Sequence, residues 1–482
     1  NASGAFTEKP ITAFELDARC EDQGIILFDS DGDGDLDCYV SSGGNELVQE
    51  DKDLFHDRLY VNDGSGNFTK ANHSFSPPAD TVASSCVVGA DFDKDGDVDL
   101  FIGGRNVPGQ YPVIPQSMIL RNDVTSFSDV TKEIAPGLER VGMVTSALWS
   151  DIDNDDDLDL WVVGEWMAPR LFVNAKGMLT ESEIAKNELA NFSGQYQSIA
   201  SADLDNDGDM DYVLGNLGKN TRYKPSVQEP IELYAKDFDE NGSVDLIMTY
   251  YNFGKKYPVR MRGPIYAQIP TLTRRFQTYH QYGAATFDDI FGGDIVDATV
   301  LKAYDYETMW LENKGGQHFV KHALPIEAQF SPVFGILCED FNADGAMDIM
   351  TIGNFNGPDP EMFRYDNSIG CVMFGNGAGE FTAIPSLQSG IIVPKDGRSL
   401  VMMPNDQQSC DVIIGVNSQS AQSYRLSLPK GASIVKATSG ASLLIQLKSG
   451  KKQKKEFSLG SGYYSQSPPM FILPKDAKII QK

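Results

Sequence analysis

The sequence predicts an all-β chain of repeated four-stranded sheets set radially, a β-propeller of about seven blades. Three observations lead there. A nine-residue acidic pattern, at its fullest Asp-x-Asp-x-Asp-Gly-Asp-x-Asp, recurs six times. Each copy runs into a short apolar stretch of β-branched and aromatic residues, such as Leu160-Trp161-Val162-Val163, which reads as a buried strand. Between copies lie hairpin signatures such as Leu59-Tyr60-Val61-Asn62-Asp63-Gly64, whose turn residues accept positive φ.

The copies start at Asp29, Asp91, Asp151, Asp203, Asp237 and Asp340, at steps of 62, 60, 52, 34 and 103 residues. A period of about 50–60 residues with several short strands per unit belongs to propellers and solenoids. Radial closure would hide the edges that separate sheets expose. Further hairpins are read at Met118 to Phe127, Arg170 to Leu179, Met309 to Phe319 and Val372 to Phe381. The 34-residue step is too short for a blade, so the count stays between six and eight. The fifth loop is expected in a hairpin turn within an existing blade, in Leu233-Tyr234-Ala235-Lys236-Asp237. The 103-residue step holds an insertion at about 253–298.

The acidic pattern is a metal loop. Carboxylates at positions 1, 3 and 5 can curl around one cation. Gly at position 6 turns the backbone, the carbonyl of position 7 points inward, and the Asp at position 9 closes the shell. Calcium suits this, since it takes six to eight oxygens in a forgiving geometry. Without an ion, so many close carboxylates would repel one another. The candidate ligand positions are Asp29, Asp31, Asp33, Asp35 and Asp37; Asp91, Asp93, Asp95, Asp97 and Asp99; and Asp151, Asp153, Asp155, Asp157 and Asp159. They continue with Asp203, Asp205, Asp207, Asp209 and Asp211; Asp237, Asp239, Asn241, Ser243 and Asp245; and Asp340, Asn342, Asp344, Ala346 and Asp348. Ser243 and Ala346 stand where only a backbone carbonyl is needed. The third loop has Asp156 at the Gly position, and Asp tolerates the left-handed conformation better than most residues. Five or six Ca2+ ions are expected. A degenerate seventh copy, Asn405 to Asp411, has lost most carboxylates and is expected to hold none. The loops are not EF-hands, since position 12 is never Glu and strands follow in place of helices.

The loops supply 27 Asp to a chain of 482 residues and formal net charge −28, so the acidity is local chemistry. Nucleic acid is an unsuitable partner. The six cysteines (Cys20, Cys38, Cys86, Cys338, Cys371 and Cys410) lack zinc-type spacing and read as small buried hydrophobes, with one disulfide left open. No apolar run reaches transmembrane length. Asn1 to Thr7 reads like half of the hairpin at Asn62 to Thr69 or Asn376 to Thr382, so the chain is expected to be part of a longer exported protein.

These loops, the apolar strand after each, and the Asn-x-Gly-x-Gly-x-Phe-Thr hairpins resemble FG-GAP/VCBS repeats. That family includes the integrin α-subunit propeller and many bacterial surface proteins. The resemblance covers about 1–421 and implies about seven blades with calcium on one face. The insertion is similar to a segment of large repeat proteins in Bacteroidetes-type bacteria. Within it, Ile269, Leu272, Phe276 and Tyr279 fall at helical spacing, Pro270 suits a helix start, and Thr286 to Phe291 suits a second helix. Lys255, Lys256, Arg260, Arg262, Arg274 and Arg275 make it locally basic, either as a solvated flap or as an anion contact. Residues 422–482 are expected to form a small β module, with Lys451 to Lys455 as a hairpin turn. Gly460-Ser461-Gly462-Tyr463-Tyr464-Ser465-Gln466-Ser467 resembles part of the ASPIC/UnbV domain.

The five histidines (His56, His73, His280, His318 and His322) sit in no nucleophile or metal motif. Two functions are expected. The first is a secreted, outer-surface or periplasmic calcium-stabilised module that binds a protein or glycan. The second is a polysaccharide lyase or hydrolase on the same scaffold, which a basic residue and a Tyr or His converging in the channel would favour, with Arg274, Tyr279 and His280 as the candidates.

Overall fold

The computed structural model describes residues 9–45, 52–71, 82–124, 126–359, 362–406 and 408–481. The expected half-hairpin at 1–7, His73, and Gln407 of the degenerate loop lie outside them.

The chain is all-β, in many small antiparallel sheets, none of which closes on itself. Each acidic loop joins the first two strands of a sheet. The first sheet orders Asp22–Phe28, Asp37–Ser42, Arg58–Asn62 and Phe68–Lys70 in sequence, and the second repeats this from Ala83–Ala90 and Asp99–Asn106. The third is built on Met143–Ser150 and Asp159–Met167, and the fifth on Val333–Glu339 and Asp348–Gly353. The fourth pairs Ser198–Ala202 and Asp211–Gly215 with Met309–Asn313 and Phe319–Ala323, so its halves are far apart in the chain. The sixth has three strands, Gly397–Pro404, Ser409–Val416 and Gln422–Ser427. That last strand lies beyond residue 421, and the strands of the C-terminal module start at Ser433.

Successive sheets bury large side chains against each other. Ile26 and Phe28 meet Val87 and Leu100, then Val88 and Phe101 meet Val144 and Trp149. Trp161 packs on Tyr212 and Phe319, and Val213 and Trp310 meet Ile349 and Met373. Ile352 and Val372 face Leu400 and Ile414. Between the first and sixth sheets lies a cleft of about 260 Å³ lined by Ile25, Leu27, Val401 and Ile413, with Tyr464 and Gln466 from the C-terminal module. Glycines sit late in the second strands, where backbones crowd. A Cβ on Gly164 would stand 2.1 Å from the Met143 carbonyl oxygen, and one on Gly353 1.6 Å from that of Pro332.

The inserted unit is a sheet of its own. Ile231–Lys236 and Asp245–Asn252 flank the fifth loop, with Lys255–Pro258 on one side and Thr299–Ala303 on the other. The segment 253–298 thus lies inside a larger insertion between the two halves of the fourth sheet. Pro270 does open a helical turn, Pro270–Arg274, and Thr286 caps the helix Phe287–Phe291. Ile269 and Leu272 are buried, whereas Tyr279 is 73% exposed. Thr278 caps a new helix, Tyr279–Ala284, and that break resets the periodicity before Tyr279.

Candidate metal centre

The loops fold on their own carboxylates. Asp91 accepts the N–H of Asp95 at 3.1 Å and of Gly96 at 3.2 Å, and Asp203 accepts those of Asp207 and Gly208, each at 3.1 Å. The fifth-position carboxylates Asp95, Asp155 and Asp207 accept the N–H of position 7 at 3.0, 2.8 and 2.9 Å. Such short-range side-chain-to-backbone bonds are what Asp does well in turns. Gly96 and Gly208 sit at φ 103° and 101°, and Asp156 takes the same role in the third loop at φ 71°.

The ninth Asp ties the loop to the sheet. Asp159 accepts from Ile152 N at 3.1 Å and from Asn174 N at 2.7 Å; Asp211 accepts from Leu204 N and Asn313 N, each at 2.9 Å. Asp348 accepts from Phe341 N at 2.9 Å and Gly375 N at 3.0 Å. One carboxylate thus joins loop position 2 to the third strand.

Among the described residues, five loops bring three carboxylates together, with ligand atoms within 4.8 Å of one another. They are Asp91, Asp93 and Asp99; Asp151, Asp153 and Asp159; Asp203, Asp205 and Asp211; Asp237, Asp239 and Asp245; and Asp29, Asp31 and Asp33. In the first loop Asp37 instead holds the Ser30 hydroxyl at 2.5 Å. In the sixth, Asn342 replaces the third-position carboxylate, and its amide donates to Asp344 at 3.0 Å.

Few positive charges offset the clusters: Lys454 reaches Asp151, and Lys94 reaches Asp157 of the same loop. Burial pushes the Asp99, Asp159, Asp211 and Asp348 carboxyls up to about 8, and nearby loop carboxylates add to the shift. Asp203 is pushed to about 7, and Asp205 and Asp340 to about 6, again mainly by burial. One oxygen each of Asp93, Asp205 and Asp239 is a buried atom with no hydrogen-bond partner, as is the second oxygen of the fully buried Asp99. Buried acceptors are ordinarily satisfied. A hard divalent cation would satisfy these and favour ionisation, so the residues fit one.

A set of asparagines was not singled out as functional from sequence. Asn122 Nδ2 donates to the Ser30 carbonyl at 3.1 Å, Asn174 to that of Phe92 at 2.8 Å, and Asn313 to that of Ile152 at 2.9 Å. Each therefore reaches from its own third strand to position 2 of the preceding sheet's loop. The signal was visible as an Asn before each hairpin turn, but it read as turn chemistry alone. Loops also touch directly, through Lys94 to Asp157 at 2.6 Å and Asn154 to Asp209 at 2.8 Å.

The basic insertion spends much of its charge on acids of its own unit and on Asp359 beyond it. Lys256 bonds Glu232 and Tyr234, Arg260 pairs with Asp359, and Arg275 pairs with Asp294. Arg262 lies over the rings of Tyr266 and Tyr279. Lys255, Arg274, Tyr279 and His280 are exposed on this unit. Lys451 to Lys455 is a strand in place of a turn, Lys452–Glu456, and Lys454 and Lys455 are buried because acidic groups receive them. Lys454 pairs with Asp151 and Glu456, and Lys455 with Glu339. The six cysteines are unpaired. No helix among the described residues is long and apolar enough to cross a membrane.

No curated protein matches the chain in sequence. Among solved structures, rhamnogalacturonan lyase YesW overlaps 85% of this chain and 72% of its own at 9% identity and TM-score 0.33. The biofilm matrix protein Bap1 of V. cholerae overlaps 83% and 85% at 10% identity and TM-score 0.26. A Bacillus licheniformis rhamnogalacturonan lyase overlaps 93% and 77% at 10% identity and TM-score 0.26. The FG-GAP-like repeat family matches residues 29–102 and 151–214, two stretches that each run from one acidic loop to the strand after an acidic loop. The chain carries FG-GAP-like repeats.

Proposed function

We propose that this protein is a calcium-stabilised β-propeller that serves outside the cell, or at the outer surface or in the periplasm of a bacterium, as a binding module for a protein or glycan. The observation that carries the reading is the set of buried, unpartnered carboxylate oxygens inside converging Asp clusters. All-oxygen donors in flexible loops suit calcium better than magnesium, which demands tight octahedral geometry. Five ions follow from the five clusters, and a sixth would use the Asn342 amide oxygen beside Asp340, Asp344 and Asp348. The six successive sheets are the blades, at the low end of the expected range, and the stretch 460–467 belongs to a module of the ASPIC/UnbV type. Site affinities of about 10⁻⁴–10⁻³ M would match calcium levels outside cells.

Binding is favoured over lyase chemistry by the groups near the ends of the second strands of the second and third sheets. Arg105 is paired with Glu165 at 2.5 Å, and the Tyr111 hydroxyl accepts from Trp166 Nε1 at 2.6 Å. Burial and Glu165 push the Tyr111 phenol well above its ordinary value, the wrong direction for a base.

Calorimetric titration of the metal-free chain with calcium should count five or six ions, and chelator should lower the melting temperature by several degrees. An unchanged melting temperature in saturating chelator would overturn the calcium reading. A glycan and protein array probed with and without calcium tests the binding role; specific depolymerisation of a polysaccharide by the pure protein would replace it with the enzyme reading.

A further inference from the structure

The C-terminal module sits on the metal loops. Lys454 N donates to Asp203 at 2.9 Å, and its Nζ donates to the Asp151 carbonyl at 3.1 Å and to Asn154 Oδ1 at 2.7 Å. Gln453 donates to Asn206 Oδ1 at 2.6 Å, and Lys451 donates to the carbonyls of Gly377 at 2.9 Å and Asp205 at 3.3 Å.

From Phe457 the chain leaves the loops and runs along the first strands of the sheets, the innermost strands of the proposed propeller. Ser458 Oγ donates to the Trp149 carbonyl at 2.7 Å, and the Leu459 carbonyl accepts from Gly89 N at 3.2 Å. Leu459 enters the core between the first two sheets. At the hairpin tip, Tyr463 stacks on Tyr464 at 4.0 Å and meets the Phe334 ring edge-on at 5.1 Å. On the way back, the Gln466 amide bonds both the N–H and the carbonyl of Leu27, at 2.9 and 3.1 Å, and Ser467 Oγ accepts from Met402 N at 3.1 Å. The hairpin 457–469 thus reaches the innermost strands of the first, second, third, fifth and sixth sheets, and bridges the first to the sixth. A cavity of about 130 Å³ remains between this segment and the strands of the third, fourth and fifth sheets.

The loop atoms that receive the module depend on loop closure. Asn154 and Asn206 hold φ of 61° and 60°, and the Asp203 oxygen that accepts Lys454 N also accepts Gly208 N within its own loop. A cation that closes the third and fourth loops therefore presents the docking surface. We propose that the C-terminal module is a calcium-latched plug: metal in the third and fourth loops holds it down, and metal loss frees hairpin 457–469 from the axis and opens the cleft between the first and sixth sheets. The inference rests on calcium occupying the loops. Linkage requires that plug and ion each strengthen the other.

The test is hydrogen exchange of the full chain in saturating calcium, in chelator and in magnesium, beside a calorimetric calcium titration. Chelation is expected to speed exchange over 457–469 by about tenfold, within the usual range for linked sites, while innermost strands such as Met143–Ser150 change less. If no calcium binds, the calcium reading fails and the latch fails with it. If calcium binds and exchange over 457–469 is unchanged, or all regions open together, the latch alone is overturned. Gln453→Ala supplies the second arm. It should loosen 457–469 in saturating calcium with the ion count unchanged, and wild-type protection in this variant would count against the latch.

Discussion

Asn174→Ala tests how the sheets hold one another. Asn174 is 2% exposed. Its Nδ2 donates to Phe92 O at 2.8 Å and Leu158 O at 3.1 Å, and its Oδ1 accepts from Gly177 N at 2.8 Å. Alanine removes all three bonds and leaves buried backbone groups without these partners. At a net ~1 kcal/mol per bond, with more for each group left unsatisfied, the loss should be about 3 kcal/mol. The backbone bond from Asn174 N to Asp159 survives, so the third loop should keep its ion. Urea unfolding in saturating calcium, followed by tryptophan fluorescence, reads the change, because Trp149 stacks on Phe92 at 6.0 Å at this junction. Asn376→Ala is the control. It directly follows Gly375, the fifth sheet's counterpart of Asn174, and it is exposed and bonds only within its own turn. It should cost under ~1 kcal/mol. Equal losses in the two variants would show that Asn174 acts only as a turn residue, and the inter-sheet latch would fall.

Asp95→Ala should remove one ion and raise hydrogen exchange in the second loop and, through Asn174, at 174–177, leaving the fifth sheet protected; uniform loss would refute this locality. Asp57, far from the loops, accepts from Ser42 N at 2.7 Å and Tyr39 Oη at 3.1 Å, and burial pushes its carboxyl to about 7. The folded state therefore keeps its proton while the unfolded state releases one. Stability should fall as pH rises from about 4 to about 7, by up to about 4 kcal/mol. Asp57→Asn in saturating calcium should flatten that slope, and an unaltered profile would refute the assignment. Gly164→Ala should cost about 1–3 kcal/mol by driving a Cβ into Met143, whereas Gly283→Ala, with no atom within 4 Å of its Cβ, should be neutral or stabilising. Paired thermal melts decide it.

Much of the site was legible because its donors are local. Five candidate ligand positions lie within nine residues, so alternation and Gly or Asp156 at the turn declare the loop without knowledge of the rest. The same holds for the strands after each loop and for the Asn-Asp-Gly hairpin. The asparagine latch was half legible: its recurrence is in the sequence, but its acceptor belongs to another sheet.

By itself, then, the sequence determined what nearest neighbours along the chain decide: acidic loops, buried strands, hairpin turns, and the helical starts at Pro270 and Thr286. The tertiary structure alone decided what joins distant segments. It pairs Ile231–Lys236 with Thr299–Ala303 to make an inserted sheet, and it spends much of the insertion's charge on that unit's own acids. It sets Lys454 and Lys455 against Asp151, Glu456 and Glu339, burying a lysine run that reads as a solvated turn. The physical reason is range: periodicity reports which side of an element is apolar, whereas the partner of a charge or a sheet edge is fixed only when remote chain is brought beside it.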